Sequence, residues 1–109
     1  MGFCFSKPDK KELLNDSRIR VEDNTRILEV CKEIALGEMK ESAERVYDAV
    51  RYMTPSDKVG AAQADKKINA LAGDLKIALS KGNDRGIIQA EEIIKDLNVA
   101  IAERNSYVK

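Results

Sequence analysis

Nineteen carboxylate and nineteen cationic side chains are spread along these 109 residues, with no histidine to work beside them. Without an imidazole base, serine or cysteine triads of the usual form cannot be assembled. The Glu-x-x-His pairs of di-iron bundles are excluded for the same reason, and two cysteines, Cys4 and Cys31, do not make a structural zinc site. Glu29 and Glu33 share a helix face, as do Glu44 and Asp48, and Glu91 adjoins Glu92. On amphipathic helices such pairs are ordinarily solvated, so they are not read as catalytic. Arg51, Lys66 and Lys67, with Tyr47 and Tyr52 nearby in sequence, are the residues best suited to contact an anion. Their simpler role is to lay aliphatic stems and phenol tips along the edge of a core. No glycine-rich loop follows a strand, so phosphate-cradle chemistry is absent too. The chain is read as non-enzymatic, with no catalytic, cofactor-binding or metal-binding residue and no cofactor.

The amino terminus carries the sharpest motif, Met1-Gly2-Phe3-Cys4-Phe5-Ser6-Lys7. With Met1 removed, Gly2 and Ser6 match the M-G-x-x-x-[ST] pattern of N-myristoylation, and Cys4 is placed to carry a palmitoyl group. A single myristoyl chain binds membranes only marginally, and this stretch resembles the two-signal segments that anchor stably. The resemblance implies membrane association, with Lys7, Lys10 and Lys11 facing anionic lipid. Otherwise the two phenylalanines tuck onto the folded domain and the expected location is the cytoplasm.

Equal numbers of basic and acidic groups argue against nucleic-acid binding as the main task. No run approaches the ~18 apolar residues of a transmembrane helix, and no apolar signal region stands at the amino terminus. Cys31 falls on an apolar stripe, where a thiol behaves as a small hydrophobe. A disulfide to Cys4 is not expected.

The elements that would position these groups are helices. Leu28, Cys31, Ala35, Met39, Ser42, Val46, Val50 and Met53 follow one another at steps of three and four, which predicts a long amphipathic helix over 21–53. Gly37 costs about 1 kcal/mol inside a helix. It either kinks this one or ends it and makes a four-helix arrangement; the stripe stays in phase across it, which favours continuity. Asp9 caps a short helix from Lys10 to about Asn15, anchored by Leu13 and Leu14, and Asn15-Asp16-Ser17 reads as a break. Thr54 as cap with Pro55 at the first helical position starts the next helix, which runs to about Lys81. Its stripe is Ala61, Ala64, Ile68, Leu71, Leu75 and Ala78. Gly82 turns the chain, and Asn83 or Asp84 caps a last helix ending near Arg104, with Ile94, Leu97 and Ile101 inward.

Short turns between long helices make antiparallel neighbours. The expected fold is all-α, an antiparallel three-helix bundle with a long first helix and a short amino-terminal helical segment. Residues 1–8 form a flexible segment, 9–105 one helical domain and 106–109 a frayed tail. The long first helix would outrun its neighbours and leave Ile27, Leu28, Cys31 and Ile34 for a partner, with Leu13 and Leu14 beside them. The expected function is therefore a non-catalytic helical interaction protein, an adaptor, assembly subunit or inhibitor, whose partner is another protein or a second copy. Two alternatives are a lipid-anchored adaptor or injected effector, and a bacterial or phage oligomer that sequesters a small ligand between helices.

Overall fold

A computed structural model describes residues 9–107. Four helices follow in order, α1 (Lys10–Ile34), α2 (Glu38–Arg51), α3 (Val59–Ser80) and α4 (Asp84–Asn105), with no strand among the described residues. The all-α expectation holds. The three-helix arrangement does not, because the helix expected over 21–53 is two helices.

The break lies at Ala35-Leu36-Gly37. Ala35 is already extended, at φ −69° and ψ 144°, and Gly37 sits at φ +60°, ψ −134°, a conformation open to glycine and to little else. An in-phase stripe does not distinguish a straight helix from a hairpin whose two arms face each other. Folding back at Gly37 lets Leu28 and Cys31 of α1 pack with Val46 and Val50 of α2, where one straight rod would leave half the stripe in water.

The expected break at Asn15-Asp16-Ser17 is instead continuous helix. Asp9 does cap it, its carboxylate accepting from the Glu12 amide at 2.8 Å. Ser17 is buried, and the inward stripe of α1 runs Ser17, Val21, Asn24, Leu28, Cys31 and Ala35 at steps of four and three. Polar members at its start made that stripe read as a gap.

The start of α3 differs as well. Thr54 and Pro55 do not open a helix, and residues 54–58 stay out of helical structure until Lys58, whose side chain makes no cap bond. The Ser56 amide donates to Ser17 Oγ at 2.9 Å, and Ser56 Oγ donates to the Tyr107 carbonyl at 3.3 Å, which pins this segment across the base of the bundle. It has to reach across. α1 packs on α2 and α3, and α4 packs on the same two, whereas the α2 and α3 backbones do not come close. Seven residues, Tyr52–Lys58, thus cross the bundle diagonal. The Tyr107 ring lies against Gly60, where any side chain would collide with it.

At the other end the turn is as expected: Gly82 is at φ +65° and Asn83 caps α4, accepting from the Gly86 amide at 2.8 Å. Of the seventeen stripe residues named from the sequence, fourteen are buried and Met39, Ser42 and Leu71 are half-buried.

Candidate functional site

Two features stand apart from the aliphatic core. The first is a polar cluster at the base. Extending the α4 rhythm by one step past Leu97 and Ile101 leads to Arg104, and Asp65 lies on the inner face of α3 beside Ala64. The Asp65 and Arg104 side chains are wholly buried and joined by a 2.8 Å Nε–Oδ1 contact. The second Asp65 oxygen accepts from Arg20 Nε at 3.2 Å. Arg104 Nη2 donates to Ser17 Oγ at 3.3 Å. Asn24 donates to the Asp65 carbonyl at 3.0 Å and accepts from Asn69 at 3.0 Å.

The bonds between α1 and α3 show these helices to be parallel: Asn24 to Asp65 and the Cys31 thiol to the Ala72 carbonyl, continuing the Ser17–Ser56 bond just ahead of α3. The cluster therefore locks α1, α3 and α4 in one register. Each oxygen of Asp65 is held by a guanidinium. A buried charge network of this kind is weak evidence for net stability, because desolvation offsets much of the attraction. Arg104 Nη1 is the one buried side-chain nitrogen or oxygen without a hydrogen-bond partner among the described residues.

The second feature is on the surface. α3 and α4 are antiparallel, and a groove of about 410 Å³ runs between them, lined by Ile77, Ala78, Ile88 and Ile93 with Asp74, Lys81, Gln89 and Glu92 along its edges. Ile77 and Ile88 are each 62% exposed. Ala78 also borders a smaller cavity of about 110 Å³ at the tip, where Ile34, Leu36, Met39, Leu79 and Ile87 meet. Leu36, in the α1–α2 turn, is 83% exposed. Apolar side chains left in water side by side mark contact surfaces more often than isolated ones do.

The residues singled out from the sequence fall elsewhere. Leu28 and Cys31 are buried by the chain's own helices, Ile27 packs half-buried against the core, and Ile34 is exposed at the tip. Leu13 and Leu14 are half-buried on the first turns of α1. Arg51 stacks on Tyr47 and Tyr52, its guanidinium 5.7 and 5.1 Å from the ring centres. It borders a cavity on α1 with Glu22, Arg26 and Glu29, whereas Lys66 borders a different one with Arg20, Asp23 and Asn69. Lys67 is exposed on α3. The structure thus does not gather Arg51 and Lys66 into one basic cleft. Gly2 and Cys4 lie outside the described residues.

Among the described residues no group of three or more His, Cys, Asp or Glu is placed to hold a metal, and no helix is long and apolar enough to cross a membrane. The sequence carries a signal for the α3–α4 groove that the stripe reading passes over: Ile77 and Ile88 fall off the inner stripes of their helices. No protein-family model, curated protein or solved structure matches this chain.

Proposed function

We propose that this chain is a non-catalytic helical interaction protein, an adaptor, assembly subunit or inhibitor, that works by helix–helix contact through the outer face of α3 and α4. The observation that carries the reading is the pair Ile77 and Ile88, exposed side by side along a groove edged by polar groups. An apolar centre with a polar rim is the usual anatomy of a protein interface. The lack of histidine and the full commitment of the Asp65 carboxylate to two arginines fit a role without catalysis.

Photo-crosslinking in the native host tests it. A photoreactive side chain at position 77 or 88 is expected to give a polypeptide adduct, with none from position 67 or 44, which lie on exposed polar surface. Equal labelling at all four positions, or none at 77 and 88, would remove this face from the function.

A further inference from the structure

The outer face of α3 and α4 carries a charge pattern that is complementary to itself. On α3 and its C-cap, Asp74, Ile77 and Lys81 are spaced by three and then four residues; on α4, Arg85, Ile88 and Glu92 have the same spacing. Residues three, four and seven apart share one side of a helix. Each helix therefore shows an exposed isoleucine with a charge about one turn to either side, acidic first on α3 and basic first on α4. All four charged residues are exposed, and none forms an ion pair among the described residues, whose salt bridges are Arg20–Asp65, Arg26–Asp23, Arg45–Glu41 and Arg104–Asp65. Lys81 is turned along the groove, its Nζ donating to Gln89 Oε1 at 2.6 Å.

Resting on the assignment of this face as the contact surface, we propose that its occupant is a second copy of the same chain, related by a two-fold axis that lays α3 antiparallel on α3 and α4 antiparallel on α4. In an antiparallel pair centred near Ile77, position 74 of one copy faces position 81 of the other, twice over. Centred near Ile88, position 85 faces position 92. Both sets bring opposite charges together, while a parallel pairing would set acid on acid and base on base. The isoleucines meet at the centre, and the charges set direction and register, as such groups do at interfaces. A face two turns deep on two helices belongs to the small, reversible class of interface, below about 1,200 Å² in all.

A charge-exchange series measured by sedimentation velocity tests this, at low salt where exposed pairs are least screened. The wild-type chain is expected to dimerise in a concentration-dependent way. Lys81→Glu alone, or Asp74→Lys alone, makes each symmetric α3 contact repulsive and should weaken dimerisation about tenfold or more. The double variant Lys81→Glu with Asp74→Lys restores attraction with reversed polarity and should return to within about threefold of wild type. Circular dichroism checks that each variant keeps its helix content. A wild-type chain that stays monomeric at several hundred micromolar overturns the proposal, as does a double variant no better than the singles. A monomeric wild type whose position-77 crosslinker captures a different polypeptide overturns the second copy alone and leaves the interaction reading standing. Absence of any adduct removes both.

Discussion

Removing the Asp65 carboxylate leaves the Arg104 guanidinium buried without its counter-charge. Breaking such a pair from one side costs about 3–5 kcal/mol, while replacing both partners with apolar groups of similar volume is often neutral. Asp65→Ala and Arg104→Ala should each lower the unfolding free energy by that amount in urea titrations. Asp65→Leu combined with Arg104→Met should cost less than either single change, and additive losses would show that the two groups do not act as a pair. Cys31 makes a second residue-level test. Burial pushes its thiol up to about 11, with nearby Lys76 pulling the other way. Between about pH 9 and 11 the native thiol keeps its proton while the unfolded one loses it, so the native state binds more protons and stability falls as pH rises. The stability difference between wild type and Cys31→Ala should shrink by about 1 kcal/mol from pH 8 to pH 10. A constant difference would contradict the burial of this thiol.

At the scale of elements, the glycines separate turns from helix interiors. A Cβ at Gly86 would meet the Ala78 carbonyl at 2.5 Å, and Gly37 holds a backbone conformation that side chains oppose. Gly37→Ala should cost about 1–3 kcal/mol, and Gly86→Ala should lower the melting temperature by forcing α3 from α4. At Gly73, inside α3, an added methyl meets nothing within 4 Å, and Gly73→Ala should gain about 0.5–1 kcal/mol. A rise in stability at position 37 would return α1 and α2 to one continuous helix. The same positions explain what could be read in advance. The rhythm of Leu28, Cys31, Val46 and Val50 identifies an apolar face but not whether the chain doubles back, and only the φ of Gly37 decides that. Asp9, Gly82 and Asn83 act locally, through bonds within a few residues, and were legible. Ser17 and Ser56 were not, because each is held by a partner at least 39 residues away in sequence, and a polar residue on an inward face looks like a break until that partner is known.

For the whole molecule, the diagonal crossing of residues 52–58 makes the bundle out of two helical hairpins, α1–α2 and α3–α4, set with α1 parallel to α3. This explains why part of the apolar surface expected on α1 is covered by the chain itself. Parallel packing against α3 covers Leu28 and Cys31; apolar side chains left outside include Ile77, Ile88 and Val99 on the second hairpin and Leu36 at the tip, with Ile19 and Val30 on α1. On the proposed reading, the α3–α4 face meets another helical surface, and its charge order would favour an antiparallel copy. The most direct measurement is hydrogen–deuterium exchange on the purified chain at low and high concentration. Slowed exchange at high concentration confined to residues 74–81 and 85–92 is the expected result. Exchange that is independent of concentration there, or slowing that falls on α1 and α2 instead, would contradict the account.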